Sequence, residues 1–182
     1  MKKFLTITVA QLLLIFSASV ITNTATAQSS KDKKLMVDCD SARVDFLRTD
    51  PSLKNTFAGA YGYVILPNVG KGAMGIGGAS GNGFAYEKGR LVGKAKMSQV
   101  TFGFQFGGQA YRELIFFENK EAMDRFKANK VEFSAQASAV AATAGASANV
   151  KYTNGVMIYT QQKGGVMYEA SVGGQKFKFS TF

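Results

Sequence analysis

From Lys33 to Arg48 the apolar residues Leu35, Met36, Cys39, Ala42, Phe46 and Leu47 recur at three- and four-residue spacing. This is the period of a helix with one apolar face; Lys34, Asp38, Asp45 and Arg48 fall on the other side. Asp50-Pro51 then offers a helix cap with proline at the first position, so a short second helix is expected from Pro51 to about Phe57. From Tyr61 the period changes to two. Tyr61–Leu66 reads as a strand stopped by Pro67-Asn68. Val100, Phe102, Phe104 and Phe106 share one strand face, with Thr101, Gly103, Gln105 and Gly107 on the other. Leu114-Ile115-Phe116-Phe117 is apolar at every position, as in a strand buried on both faces. The closing strands are expected at Val156–Thr160, Val166–Val172 and Lys176–Ser180, spaced by Gly164-Gly165 and Gly173-Gly174.

Hairpin-type turns are expected at Ser80-Gly81-Asn82-Gly83, Glu87-Lys88-Gly89-Arg90 and Asn154-Gly155. Asn119 caps a helix reaching about Asn129, with Ala122, Met123 and Phe126 turned inward. In residues 134–149 small side chains alternate; a strand is preferred to a helix there, because Gly145 and the serines weaken a helix. The pattern as a whole predicts an α+β domain. Its core is an antiparallel sheet of about seven to nine strands, with N-terminal amphipathic helices and one internal helix. For Leu35, Met36, Phe46 and Leu47 two roles stay open: sealing the sheet, or meeting lipid.

The N-terminus changes the picture of where this domain works. Met1-Lys2-Lys3 is basic, an apolar run follows from Phe4 to Val20, and Ala25-Thr26-Ala27 is a small-x-small site before Gln28. That is the layout of a secretory signal peptide. The apolar run falls short of the roughly 20 residues of a membrane span. Residues 28–182 are then expected as a single exported domain, periplasmic or secreted. Lys2 and Lys3 leave with the signal, lowering the net charge from +10 to +8.

Composition narrows the chemistry. The chain has no histidine, which removes the commonest general base and metal ligand and every serine- or cysteine-histidine triad. Cys39 is the one cysteine, too few for a disulfide or a cysteine metal motif. Residues 61–112 hold a single carboxylate, Glu87. An enzyme is therefore not expected, nor a cofactor or a metal. Gly70-Lys71-Gly72-Ala73-Met74-Gly75 fits G-x-G-x-x-G, but Ile76-Gly77-Gly78-Ala79-Ser80-Gly81 follows, where a dinucleotide loop requires a helix. An outer-membrane barrel is disfavoured as well. Counting back in twos from Phe182 meets Ser180, Lys178 and Lys176, not the apolar residues such a strand carries.

The charge is uneven. Residues 61–112 carry Lys71, Lys88, Arg90, Lys94, Lys96 and Arg112 against Glu87, a net of +5. Basic residues near an anionic leaflet contribute about 1 kcal/mol each. Lys71, Lys88, Arg90, Lys94 and Lys96 are the candidate lipid-binding residues, with Lys94 and Lys96 on one strand face. Dispersed, solvated lysines would give the same count. Export and the lack of a recognition motif argue against a nucleic-acid partner.

Several segments in series resemble the SYLF domain family. They are Tyr63–Gly72 with its Pro67 and Lys71-Gly72, the glycine run Gly75–Gly78, Phe102–Gln109, Leu114–Phe117, a helix ending Phe126-Lys127, and Gly164–Ser171. The resemblance covers about residues 35–179. It implies peripheral binding to anionic phospholipid or phosphoinositide head groups, partly through a basic N-terminal amphipathic helix, and actin binding in fungal members. The N-terminal helix of this chain departs from that pattern, since Asp38, Asp40 and Asp45 dilute its basic charge. The alternative is a structural or adhesive envelope protein that binds acidic polysaccharide or a protein partner.

Overall fold

A computed structural model of the chain describes residues 30–74, 76–102, 109–130, 138–141, 143–145, 150–164, 170–171 and 174–182. The chain divides into two compact units, Met1–Leu35 and Met36–Phe182. Of the first, residues 30–35 are described and are helical; the expected signal peptide lies outside the described residues. The second unit carries the sheet.

Helix α1 occupies residues 36–49 of this unit. It turns Cys39, Ala42 and Phe46 into the interior, all at most 1% exposed. Asp50 follows, and its carboxylate accepts from Ser52 N at 3.1 Å and Ser52 Oγ at 2.5 Å. Helix α2, Leu53–Gly59, therefore starts after a Pro51-Ser52 turn and runs two residues beyond the expected Phe57.

Six strands form a continuous antiparallel sheet in the order β6-β4-β1-β2-β3-β8. They are β1 Gly62–Met74, β2 Ile76–Glu87, β3 Arg90–Phe102, β4 Gln109–Phe117, β6 Val156–Gly164 and β8 Gln175–Ser180. Two short strands, β5 Ser138–Ala141 and β7 Ala170–Ser171, extend the β6 edge, and β5 joins it in parallel. The fold is α+β as expected; among the described residues the continuous antiparallel core has six strands, where seven to nine are expected. In 134–149 the favoured strand is present at Ser138–Ala141. Of the expected strand Val166–Val172, Ala170–Ser171 is described, and Gly103 to Gly108 lie outside the described residues.

Two expectations about β1 and β2 fail for one reason. Pro67-Asn68 does not end the first strand. One extra residue is accommodated between Ile65 and Asn68, so β1 bulges there and continues to Met74. A bulge tolerates the missing proline N–H within an inner strand. Likewise Ser80–Gly83 is not a turn but the middle of β2, paired with both β1 and β3. Its glycine serves close approach: a Cβ on Gly83 would stand 1.9 Å from Ile65 O. The Lys88-Gly89 and Asn154-Gly155 turns form as expected, with positive φ at both residues of each pair (49° and 75°, 51° and 74°), the signature of the turn that suits strand twist.

The sheet is curled. Glu113 on β4 and Gln175 on β8 hydrogen-bond at 2.9 Å, although β1, β2 and β3 separate their strands. Four steps of about 4.8 Å would hold them some 19 Å apart in a flat sheet. Helix α3, Lys120–Lys127, sits on the concave face and is capped by Asn119, whose side chain accepts from Ala122 N at 3.0 Å. Its Phe126 touches Phe117 of β4 and Phe177 and Phe179 of β8. The opposite face is covered at the β1–β4 end by α1 and α2: Phe57 packs on Tyr63 and Phe116, and Cys39 Sγ donates to Ile65 O at 3.6 Å. Leu114-Ile115-Phe116-Phe117 is at most 1% exposed, the strand buried on both faces that its sequence predicts.

Candidate functional site

The convex face is bare where β2, β3 and β8 meet. Gly78, Ser80 and Asn82 of β2, Lys96, Ser98 and Val100 of β3, and Lys176, Lys178 and Ser180 of β8 are all exposed. The register explains their company. Lys96 pairs with Lys178, Ser98 with Lys176 and Lys94 with Ser180. Residues directly opposite lie on the same face, with Cβ atoms about 4.5–5.5 Å apart. Lys94, half-buried, points its ammonium over the Phe182 ring at 5.9 Å, and that ring rests against Phe84. Lys96 and Lys178 have no acidic partner among the described residues. Like charges directly opposite destabilise a sheet, so this pair is a local cost to the fold.

The other candidate residues are placed elsewhere. Between Ala85 and Tyr86 the β2–β3 register shifts: Ala85 pairs with Gly93 and Tyr86 with Leu91, leaving Val92 as the extra residue. That bulge reverses the alternation, so Arg90, paired with Glu87, falls on the opposite face from Lys94 and Lys96. Lys88 lies in the turn with its ammonium over Tyr61 at 5.1 Å. Lys71 pairs with Ala79 and Gln109 in the backbone register. Of the five candidate basic residues, Lys94 and Lys96 are brought together. Lys176 and Lys178, which complete the face, were missed as site residues; alternation in Lys176–Ser180 signals their common face, but not that β8 lies beside β3.

The helix candidates separate too. Phe46 is 0% exposed and Leu47 half-buried, whereas Met36 is 40% exposed and Leu35 belongs to the helical residues of the first unit. Val37 and Val44, at 63% and 62%, complete an exposed apolar stripe on α1. Asp45 ties α1 to the sheet through Arg112 at 2.5 Å.

The concave face holds a second chemical feature. Glu113, Gln175, Gln99, Thr160 and Tyr111 are all buried there, with Gln99 opposite Gln175 and Glu113 opposite Thr160 in the register. Glu113 Oε1 has no hydrogen-bond partner among the described residues. Burial pushes the Glu113 carboxyl up to about 7, opposed by the bond from Gln175. Burial likewise pushes the Cys39 thiol up to about 12, which makes it unreactive. Among the described residues no three histidine, cysteine or carboxylate side chains are grouped to hold a metal, and no helix is long and apolar enough to cross a membrane.

Two comparisons bear on this geometry. Beta cell expansion factor A of Aeromonas veronii is 27% identical to the chain over 155 residues, covering 82% of the chain. The chain spans 58% of that relative's length. Residues 98–181 match the family described as Ysc84, Las17-binding protein actin regulator, a stretch that holds the end of β3, β4, α3, β6 and the whole of β8. Residues 98–181 are thus similar to the Ysc84, or SYLF, family, the one that the sequence resembles.

Proposed function

We propose that the protein is a peripheral binder of anionic phospholipid head groups and not an enzyme, with the β3–β8 convex face as its contact surface. The observation that carries this reading is the Lys96–Lys178 pair, two like charges held opposite each other with no acidic partner among the described residues. A polyanionic surface turns that repulsion into binding. Four lysines at about 1 kcal/mol each suffice for measurable association with an anionic leaflet. The similarity of residues 98–181 to the Ysc84 family supports a lipid- or actin-binding module at the coarse level. The unreactive Cys39 and the absence of histidine support a binding role over catalysis. The reading keeps export by cleavage after Ala27; intact mass of the exported protein tests it, and a mass retaining residues 1–27 counts against it.

Co-sedimentation with phosphatidylglycerol vesicles at low and high salt tests the function. Lys94→Glu with Lys96→Glu changes the local charge by four units and should lower binding at least tenfold, while added salt weakens wild-type binding by screening. Wild-type protein that binds no anionic vesicle would sink the lipid reading. A protein partner would then lead, docked on the exposed Met36, Val37 and Val44 of α1, as the family's description as a Las17-binding actin regulator suggests.

A further inference from the structure

The described residues expose five large hydrophobic side chains, and these fall into two groups: Met36, Val37 and Val44 on α1, and Val100 and Phe182 on the convex β3–β8 face. Their electrostatic settings differ. Across residues 36–48, α1 carries Asp38, Asp40 and Asp45 against Arg43 and Arg48, a net of −1. Around Val100 and Phe182 the neighbours on β3 and β8 are Lys94, Lys96, Lys176 and Lys178, with no acidic residue in either strand's facing stretch.

Position sharpens the contrast. Lys94, Lys96, Ser98 and Val100 share one face of β3, spaced about 6.8 Å apart at 3.4 Å per residue. Val100 therefore stands some 20 Å from Lys94 along the strand, while Phe182 rests at the Lys94 end. The lysines thus lie between two apolar side chains, 63% and 68% exposed. A soluble polyanion such as an acidic polysaccharide offers nothing for those two side chains to bury against. A bilayer offers anionic head groups to the lysines and, a few ångströms deeper, acyl chains to the apolar ends.

We propose that Phe182 and Val100 are membrane anchors, so that the chain docks on an anionic bilayer with its convex β3–β8 face and not with α1. The inference rests on the lipid-binding reading above and adds the orientation and the insertion. Lysine stems lie along the interface with their ammonium groups at the phosphates, as amphipathic side chains do. Fully burying a phenylalanine is worth more than the 1.4 kcal/mol that a factor of ten represents; Phe182→Ser should therefore weaken binding to phosphatidylglycerol vesicles roughly tenfold at unchanged charge.

The native chain has no tryptophan, so single substitutions report insertion without background. Phe182→Trp, Val100→Trp and Val44→Trp are each titrated with vesicles of phosphatidylglycerol, with neutral phosphatidylcholine vesicles, and with a soluble acidic polysaccharide; a thermal melt checks that each variant is folded. The expected result is a shift of emission to shorter wavelength, and quenching by bromine-labelled acyl chains, for Phe182→Trp and Val100→Trp on anionic vesicles alone, with Val44→Trp silent. Binding in which only Val44→Trp responds overturns the inference and leaves lipid binding standing through α1. Binding in which no reporter responds overturns it in favour of a purely electrostatic contact. Absence of any wild-type binding to anionic vesicles sinks the lipid reading and this inference together.

Discussion

Glu113 on β4 accepts a hydrogen bond of 2.9 Å from Gln175 on β8, across three intervening strands. The bond joins the inner strand β4 to the edge strand β8 across the concave face of the curled sheet. Glu113 is 0% exposed, and its second carboxylate oxygen has no partner among the described residues. A charge placed there would be costly, which is why the carboxyl keeps its proton to about pH 7.

Stability should therefore fall as pH rises. The unfolded carboxyl releases its proton near the ordinary value of 4.5, while the folded one holds it to about 7. Between these values the folded state binds more protons than the unfolded. The stabilisation is fully present below about pH 4.5 and is lost as pH climbs through 7, amounting at most to about 3 kcal/mol. Glu113→Gln has no proton to lose and should flatten this part of the profile. Urea midpoints at about pH 5 and about pH 8 for both proteins check it; an equal drop in the variant would assign the titration to another group.

Phe46 is the test of what α1 does. Its ring is 0% exposed on the face turned to the sheet, so Phe46→Ala should cost about 3–5 kcal/mol, as core aromatic truncations do. Met36→Ala, on the same helix but 40% exposed, should stay within about 0.5 kcal/mol. Chemical denaturation of the two variants separates the sealing role from the lipid-facing one. An unchanged midpoint for Phe46→Ala would favour the lipid-facing role.

Local signals were legible wherever a residue's role depends on its near neighbours. The Asn119 cap, the Lys88-Gly89 and Asn154-Gly155 turns and the doubly buried run Leu114–Phe117 could all be read along the chain. What failed involved backbones from other strands. Pro67 reads as a stop signal because the bulge that accepts it forms only against Phe84 and Asn82 of β2. Gly81 and Gly83 read as turn residues, although their lack of a side chain answers to Val69 and Ile65 across the sheet. The basic face was half legible. Alternation put Lys94 beside Lys96, but the Val92 bulge that removes Arg90 and the pairing that brings Lys178 against Lys96 are tertiary facts.

The bulge makes a prediction of its own. At Gly83 an added Cβ would meet Ile65 O at 1.9 Å and its carbonyl carbon at 2.8 Å, both backbone atoms fixed by the β1–β2 ladder. The strands must part to relieve this, so Gly83→Ala should cost at least the 1–3 kcal/mol typical of overpacking. Gly89→Asn, in the exposed Lys88-Gly89 turn with nothing within 4 Å of its Cβ position, should cost far less, since asparagine tolerates positive φ. Melting temperatures of the two variants compare a close approach with a turn.

The Lys96–Lys178 pair predicts that stability and binding move in opposite directions. The two residues are opposite in the β3–β8 register, exposed, and without an acidic partner among the described residues. Lys178→Glu replaces a repulsive pair with an attractive one. Cross-strand charge pairs are worth roughly 0.2–1 kcal/mol, so the variant should be more stable than wild type by up to about 1 kcal/mol. The same substitution removes one positive charge, adds a negative one and engages Lys96 internally. At about 1 kcal/mol for each basic residue withdrawn from an anionic surface, vesicle binding should fall by at least tenfold. Lys96→Glu should behave alike, because the pair is symmetric in charge. Lys96→Glu with Lys178→Glu restores repulsion, now between two acids, and should lose both the added stability and the binding. Urea denaturation alongside co-sedimentation with phosphatidylglycerol vesicles reads both axes. A more stable Lys178→Glu that still binds as wild type does would remove this pair from the contact surface. A less stable one would mean that Lys178 makes a contact the register does not reveal. A gain in stability with loss of binding is the result expected of a pair kept for its ligand and not for the fold.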